Sequence, residues 1–214
     1  MNGKQLLIAF DDSLLAEFTS AATLVAGVDE VGRGSLFGSV VAATVVIPIS
    51  HIPQLIEIGV KDSKKLSAKK RQELVPLIRE IATDYCVTFA SPAEIDELNI
   101  LQASLLAMKR SVLQLKAKPD ICLIDGKFSI PNLPIMQKTV VKGDARSPVI
   151  AAASILAKVW RDEQIITLAE KYPEYDLAAN KGYPTAAHLQ AIQKYGISPE
   201  HRRSFKSCQN VDSD

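Results

Sequence analysis

Short apolar runs and longer amphipathic stretches follow one another along the chain, and each kind predicts a different secondary structure. Residues 24–30 and 39–48 are rich in valine and small apolar side chains, which is typical of buried strands, and a glycine-rich turn joins them. Three later runs, over residues 84–90, 121–125 and 136–144, have the same character. The pattern therefore predicts five strands, of which the first two form a hairpin.

Helices are predicted in the intervals between the later strands. Serine residues in capping positions predict helices over residues 68–82, 92–116 and 148 to about 172, the second with a break near Asn99. A further helix is predicted over residues 184–196, and a basic tail follows it. A hairpin followed by strands that alternate with helices predicts an α/β layer fold, in which a mixed sheet is flanked by helices.

Composition and charge narrow the class of protein without identifying it. The 214 residues are 47% hydrophobic and 23% charged, as in an ordinary globular domain, and the net charge of +1 does not by itself indicate nucleic-acid binding. Three cysteines without metal-ligand spacing are typical of thiols in a reducing compartment. The N-terminus lacks the features of a signal peptide, and no run reaches the roughly 20 apolar residues of a membrane span, so we expect a cytoplasmic protein.

Acidic side chains end three of the predicted strands: Asp29 with Glu30, then Asp125, then Asp144. Each is an ordinary turn residue when it is considered alone, but their repetition at strand ends favours a metal site over coincidence. If the strands end at one edge of the sheet, the carboxylates converge, and oxygen ligands select Mg²⁺ or Mn²⁺. Two such ions can activate a water molecule and stabilise the leaving oxygen in phosphodiester cleavage. Because adjacent strand residues point to opposite faces, Asp29 and Glu30 can share a metal only if the strand twists, bulges or contributes a carbonyl there.

A glycine-rich loop follows the first pair of acids. Gly32, Arg33 and Gly34 combine close approach of the backbone with a fixed positive charge, which suits a phosphate. Other basic and aromatic residues are candidate nucleic-acid contacts, although such residues are often merely solvated or packed on the protein; they are Lys64, Lys65, Arg146, Lys181, Tyr183 and the stretch 201–206. No motif surrounds His51 and His188, which are interpreted as surface residues.

Seven segments, in order along the chain, make it resemble the bacterial ribonuclease HII family from Leu24 to Lys206. They are LVAGVDEVGRG, DSKKLS, EIDELNI, LIDG, VVKGDARSPVIAAASILAKV, KGYPT and HRRSF. The resemblance implies a ribonuclease H-like fold with a C-terminal helical portion, so that residues 23–214 form the catalytic domain and residues 1–22 an N-terminal extension. Departures from the residues usual in the family are few, and they are Ser35, Ala151 and Trp160.

The resemblance also implies an activity and roles for single residues. It implies endonucleolytic cleavage of RNA in RNA–DNA hybrids and at single ribonucleotides embedded in duplex DNA, 5′ to the ribonucleotide, leaving a 3′-hydroxyl and a 5′-phosphate. The matching acids are Asp29, Glu30, Asp125 and Asp144; Gly32, Arg33 and Gly34 match the loop that recognises the 2′-hydroxyl, and Tyr183 matches the tyrosine that packs on the following deoxyribose. On this basis we expect Mn²⁺ or Mg²⁺ as cofactor and a monomer without membrane contact.

Two other functions are compatible with parts of the pattern. A dinucleotide-binding oxidoreductase would also place glycines after a strand, but the spacing Gly32-x-Gly34-x-x-x-Gly38 is not GxGxxG, and two acids would repel a pyrophosphate. A non-catalytic nucleic-acid-binding module would not need acids at strand ends, which weaken binding to a polyanion unless metals are present.

Overall fold

A five-stranded mixed sheet forms the centre of the computed structural model, which describes residue 11 and residues 13–18 and 20–209. Its strands are β1 (Leu24–Val31), β2 (Val40–Pro48), β3 (Asp84–Ala90), β4 (Ile121–Asp125) and β5 (Met136–Val140). The order across the sheet is β3-β2-β1-β4-β5, with antiparallel pairing among the first three strands and parallel pairing of β1 with β4 and of β4 with β5. The predicted α/β fold with a mixed sheet is confirmed.

Helices cover both faces of this sheet. They are α1 (Ile52–Glu57), α2 (Ala68–Ile81), α3 (Pro92–Leu98), α4 (Ile100–Leu113), α5 (Pro148–Lys171), α6 (Leu177–Asn180), α7 (Ala186–Tyr195) and α8 (Lys206–Gln209). The predicted break near Asn99 is real: this residue has φ 70° and its side chain accepts hydrogen bonds from the first turn of α4. None of the helices in the described part of the chain has the length and apolar content that a membrane span needs.

The last strand is shorter than the sequence pattern predicts. The prediction of a strand over residues 136–144 is wrong beyond Val140, where β5 ends. Lys142 adopts a left-handed conformation with φ 57°, and a 3₁₀ turn follows over Gly143–Ala145. The apolar run therefore leaves the sheet before it reaches Asp144, which lies in the turn.

Two apolar cores, one on each face, hold the layers together. Side chains of β1 that follow one another belong to opposite cores: Val25 packs towards α5, and Ala26 packs towards α4. The contact between β1 and α5 is close because Gly27 has no side chain; a Cβ there would lie 2.3 Å from the backbone carbonyl of Val149. The start of α5 is thereby brought against the strand that carries Asp29 near its end.

The two ends of the described chain also pack on this body. Most of the predicted extension lies outside the described residues, but Leu15 is buried in the core beside α5, and the Lys138 ammonium donates to the carbonyl of Leu14 at 2.6 Å. At the other end, the C-terminal helices form a third apolar cluster around Phe37, with Tyr175 and Ile192 among its members. This cluster supports the segment that connects β1 to β2.

Candidate active site

The edge of the sheet where β1 and β4 end carries three carboxylates. The parallel pairing of these strands stops at Val28 with Ile124, so the next residues, Asp29 and Asp125, lie side by side beyond the ladder. One carboxylate oxygen from each of Asp29, Glu30 and Asp125 lies within 4.8 Å of the others. The pairing of β1 with β2 is regular through Val31, so no bulge is needed to bring the adjacent residues Asp29 and Glu30 together.

Burial and mutual repulsion make the charged form of this cluster costly. Burial raises the pKa of Asp29 well above its usual range, and the charges of Glu30 and Asp125 raise it further. Burial also raises the pKa of Glu30 and of Asp125, partly offset by Arg33 in the first case and by the Gly143 N–H in the second. Such a group of oxygen ligands is stabilised by a divalent cation, which neutralises the repulsion.

Asp144 lies beside the three acids. It is not a member of the group of carboxylates that meet within 4.8 Å in the described part of the chain. Its carboxylate accepts a hydrogen bond from the Lys64 ammonium at 2.7 Å, and the ion pair raises the pKa of Lys64. The neighbouring Gly143 N–H donates to the Asp125 carboxylate at 2.6 Å, which ties the turn to the end of β4. Asp144 is close enough for its charge to raise the pKa of both Asp29 and Asp125.

Ser154 orients Asp29 and is itself bonded to Ser63, and neither serine is among the predicted site residues. The Ser154 hydroxyl, on α5, hydrogen-bonds Asp29 and thereby lowers the pKa of that carboxyl. The Ser63 hydroxyl lies 2.9 Å from that of Ser154. Both serines belong to segments that carry the family resemblance, but neither Ser154 in a long apolar helix nor Ser63 in a short basic turn gives a sequence signal of its own.

A cleft opens over the acids and is lined by cations. Arg71 and Lys158, which were not among the predicted site residues, line it together with the three acids and Tyr183. Lys158 pairs with Asp162 at 2.6 Å. The cleft therefore offers carboxylates on its floor and positive charge on its walls, as a phosphodiester bound through metal ions requires.

The glycine-rich loop lies next to this floor. Gly32 has φ +90°, a conformation that favours glycine, and no neighbouring heavy atom lies within 4 Å of a Cβ built on Gly34. The half-exposed Arg33 side chain pairs with Glu30 at 3.3 Å. Backbone groups of the loop are thus accessible to a bound molecule, while the loop itself is anchored to one of the acids.

The remaining predicted contacts differ in how they relate to the cleft. The Tyr183 ring lines it, with the Lys158 ammonium 5.8 Å from the ring centroid. Lys181 follows α6 and directs its ammonium back to the carbonyl of Ala178 in that helix, so the structure does not bring that side chain into the cleft. Lys65 is exposed and pairs with Asp62 at 3.8 Å, and Arg146 donates to the Val141 carbonyl; neither is among the described residues that line the cleft.

Two interpretations of C-terminal residues are wrong. His188 is fully buried rather than a surface residue, because α7 packs over the turn that contains Tyr183. The stretch 201–206 is not a free basic tail, since His201 and Arg202 are both buried and bonded to the segment between β1 and β2. Basic residues are mostly exposed in proteins, so the sequence pattern alone favoured the surface.

Comparisons with known proteins agree on one family. The family model for ribonuclease HII matches residues 26–208. Ribonuclease HII of Acaryochloris marina is 59% identical over 189 residues, which cover 88% of this chain and 96% of that protein. Ribonuclease HII of Trichormus variabilis is 56% identical over 193 residues, which cover 90% of this chain and 86% of that protein.

Solved structures show the same fold. The ribonuclease H2 of Pyrococcus horikoshii OT3 is 31% identical and superposes with a TM-score of 0.76, over 88% of this chain and 97% of that one. Bst-RNase HIII, solved in complex with Mn²⁺, is 21% identical with a TM-score of 0.73, over 92% of this chain and 71% of that one.

The sheet topology and the acidic edge define a ribonuclease H-like hydrolase. Within that class, the chain belongs to the ribonuclease HII family, and its activity is that of a ribonuclease H, an endonuclease. Membership of this family excludes both the dinucleotide-binding oxidoreductase and the non-catalytic binding module that the sequence left as alternatives.

Proposed function

We propose that this endonuclease cleaves the RNA strand of RNA–DNA hybrids and cuts duplex DNA 5′ to a single embedded ribonucleotide, and so supports the removal of ribonucleotides from DNA. The observation that carries the proposal is the position of the three clustered acids directly beside an open glycine loop and a half-buried tyrosine that lines the same cleft. Groups that can cut a phosphodiester and groups that can read a sugar therefore share one cleft. We propose that the protein works in the cytoplasm as a monomer.

Asp29, Glu30 and Asp125 would hold two Mg²⁺ or Mn²⁺ ions, with Asp144 completing the negative edge. The ligand set fits such ions because it consists of carboxylate oxygens, one from the buried Asp29 and two from partly buried acids, that lie within 4.8 Å of one another. When bound, the ions would activate the attacking water and stabilise the charge that develops on the leaving oxygen. Ser154 holds the Asp29 carboxyl in place, and Lys64 balances the charge of Asp144.

The reaction is a hydrolysis in which the water oxygen bonds to phosphorus while the bond from phosphorus to the upstream O3′ breaks. The freed O3′ takes up a proton and becomes the 3′-hydroxyl, and the phosphate stays on the 5′ side of the ribonucleotide. The cationic walls of the cleft, Arg71 and Lys158, lie where they can bind the phosphates on either side of the cut.

Discrimination between RNA and DNA is assigned to the loop and to the tyrosine. The 2′-hydroxyl both donates and accepts hydrogen bonds, so backbone groups of Gly32, Arg33 and Gly34 can recognise it. A flat ring such as that of Tyr183 packs best on a sugar that lacks this hydroxyl. A ribonucleotide followed by a deoxyribonucleotide satisfies both contacts at once. Of the other predicted substrate contacts, Lys64 borders the cleft, whereas the basic side chains of Lys65, Arg146 and Lys181 contribute at most to the surrounding positive field.

The proposal is tested with a duplex that carries one ribonucleotide in one strand. We expect a single cut 5′ to the ribonucleotide in Mg²⁺ or Mn²⁺, leaving ends that a ligase and a phosphatase identify as 3′-hydroxyl and 5′-phosphate, and no cut in EDTA. The all-DNA duplex of the same sequence is the matched control and should stay intact. Cleavage of a continuous hybrid without cleavage of the embedded ribonucleotide would refute the proposed substrate while leaving the ribonuclease H activity in place.

A further inference from the structure

Two loops of the cleft are bonded to each other beneath its surface. We call residues 32–34 the sensing loop and residues 181–183 the tyrosine turn. Directly after the sensing loop, the Leu36 N–H donates to the Gly182 carbonyl at 2.9 Å. The buried Ser35 hydroxyl lies 2.8 Å from the same carbonyl. The loop that would read the ribose and the turn that would read the next sugar are thus parts of one hydrogen-bonded unit.

Arg161, on α5, is the centre of this unit, and it is almost fully buried. Its guanidinium donates to four acceptors, which are Ser35 Oγ at 2.7 Å, Lys181 O at 3.0 Å, Phe37 O at 3.1 Å and Ser39 O at 3.2 Å. A Cβ on Gly32 would lie 2.3 Å from Nε of Arg161, so the sensing loop rests directly on the guanidinium. One planar group therefore contacts both loops.

Arg202 holds the sensing loop from the other side. Its side chain is fully buried, with Nε donating to the Gly38 carbonyl at 2.9 Å and Nη1 donating to the Arg33 carbonyl at 3.0 Å. Its backbone N–H donates to the Leu36 carbonyl at 2.9 Å. The sensing loop thus has a buried guanidinium at each end.

A pair of buried histidines holds the tyrosine turn. The Ser198 N–H donates to Nδ1 of His201 at 2.9 Å, so that nitrogen is an acceptor and the proton of a neutral ring lies on Nε2. This Nε2 lies 3.2 Å from Nε2 of His188, which must then accept and carry its own proton on Nδ1. Nδ1 of His188 lies 3.0 Å from the Tyr183 carbonyl, to which it donates. Every donor in this chain therefore meets an acceptor when both rings are neutral.

Burying these charged and polar groups costs free energy, because they lose their contacts with water. The hydrogen-bond acceptors of both guanidiniums are carbonyl and hydroxyl oxygens rather than carboxylates, and burial lowers the pKa of Arg161 and that of Arg202, the latter to about 9. Apolar side chains of similar volume would avoid this desolvation. What apolar side chains cannot do is fix the distance between two loops through directed bonds to their carbonyls.

We infer that Arg161, Arg202 and the His188–His201 pair are positioning residues that set the spacing between the sensing loop and the tyrosine turn, and through it the preference for an isolated ribonucleotide over a continuous hybrid. The inference rests on the proposed function, in which both loops must engage neighbouring sugars at once. In a continuous hybrid the following sugar also carries a 2′-hydroxyl, so exact spacing to the tyrosine matters less there. In contrast, a single ribonucleotide in DNA satisfies both loops in only one position of the strand.

The test compares kcat and KM of folded variants on two substrates, a duplex with one ribonucleotide and a continuous RNA–DNA hybrid. Arg161→Lys keeps the positive charge but loses the planar set of N–H donors that the guanidinium provides. His188→Leu loses the N–H that donates to the Tyr183 carbonyl. Because misplacing a reacting group by about an ångström costs up to about a hundredfold in rate, we expect kcat on the single ribonucleotide to fall about tenfold or more and kcat on the hybrid to fall less than about threefold. His188→Asn restores an N–H at the position of Nδ1 and should recover most of the lost preference.

The control is Ser111→Ala, which removes a buried hydrogen bond to Thr44, 2.6 Å long, between α4 and the sheet. It should lower stability without changing the ratio of the two rates. If Arg161→Lys fails to fold, the two His188 variants alone decide the question. Equal losses on both substrates, or the same ratio for His188→Leu and His188→Asn, would overturn the inference. Wild-type protein that cuts neither substrate would instead overturn the proposed function.

Discussion

At the scale of single residues, the central feature is an arrangement of acids that is unfavourable on its own. Asp29 is buried and its pKa is raised by burial and by the charges of Glu30 and Asp125. The Ser154 hydroxyl, on the opposing helix, hydrogen-bonds this carboxyl and favours its ionised form, and the Glu30 N–H also donates to it at 2.7 Å. Residues that hold metal ligands in place typically contribute about 10- to 100-fold to metal affinity or activity.

Replacing Ser154 tests this supporting contact. We expect Ser154→Ala to lower Mn²⁺ affinity or kcat by about 10- to 100-fold, since it removes a hydrogen bond that orients Asp29, the proposed ligand. Isothermal titration with Mn²⁺ and single-turnover cleavage measure the two quantities. Ser111→Ala is the matched control, because Ser111 is also a buried serine on a helix but bonds to Thr44 and to the Met108 carbonyl rather than to an acid. If both variants behave like the wild type, Ser154 does not support the site.

At the scale of elements, the site depends on how closely α5 approaches β1. Gly27 permits that approach, and successive turns of α5 then supply Ser154 and Lys158 to the cleft and Arg161 to the loops beside it. The strand supplies the acids and the helix supplies the groups that orient and surround them. A change in the distance between these two elements therefore affects every part of the site.

Gly27→Ala should consequently be costly for stability. Its Cβ would lie 2.3 Å from the Val149 carbonyl, and two packed backbones cannot yield as a flexible side chain can. We expect a loss of about 2 kcal/mol or more in the free energy of unfolding, measured by urea denaturation. Gly34→Ala, where no neighbour lies within 4 Å, should cost less than about 1 kcal/mol. Equal costs at the two positions would contradict the account of the contact.

Most elements could be predicted from the sequence because the signals are local. The apolar runs of β1, β2 and β4 and the serine caps of α2, α3 and α5 are each contained in a few residues. The end of β5 could not, since Val141 continues the apolar run and only the left-handed Lys142 breaks it. In the site, the acids followed from their repetition at strand ends, but nothing local marks Ser154 or Arg161, which matter only through contacts with distant residues.

At the scale of the whole molecule, the C-terminal helices complete the cleft rather than form a separate tail. His188 and His201 lie in a cluster with the rings of Phe37 and Tyr175, where burial lowers the pKa of His188 and lowers that of His201 to about 4. A sequence with isolated histidines cannot reveal such a pair, because its partners are brought together by the packing of α7 on the segment between the first two strands.

This pair predicts a pH dependence of stability. Between pH 6.5, the ordinary pKa, and about pH 4, the unfolded chain binds a proton at His201 that the folded chain excludes, so stability falls as the pH falls through this window. The loss attributable to this residue is up to about 3 kcal/mol. His201→Asn should remove this pH-dependent loss, so the difference in unfolding free energy between wild type and variant should shrink as the pH falls from 6.5 to about 4. The carboxylates titrate in both proteins and cancel in the comparison. A constant difference would contradict a neutral, buried His201.

The central claim is that the clustering of Asp29, Glu30 and Asp125 destabilises the metal-free protein and creates the site that binds the catalytic cations. Asp29→Asn tests it directly, through thermal unfolding in EDTA and in Mn²⁺ together with cleavage of a duplex that carries one ribonucleotide. Because the substitution removes a buried, repelled charge, we expect the variant to be more stable than the wild type in EDTA, by about 1 kcal/mol or more. Mn²⁺ should raise the melting temperature of the wild type far more than that of the variant. Cleavage should fall about a thousandfold or more. A variant that is no more stable in EDTA, gains as much stability from Mn²⁺ as the wild type and cleaves at the wild-type rate would contradict the account.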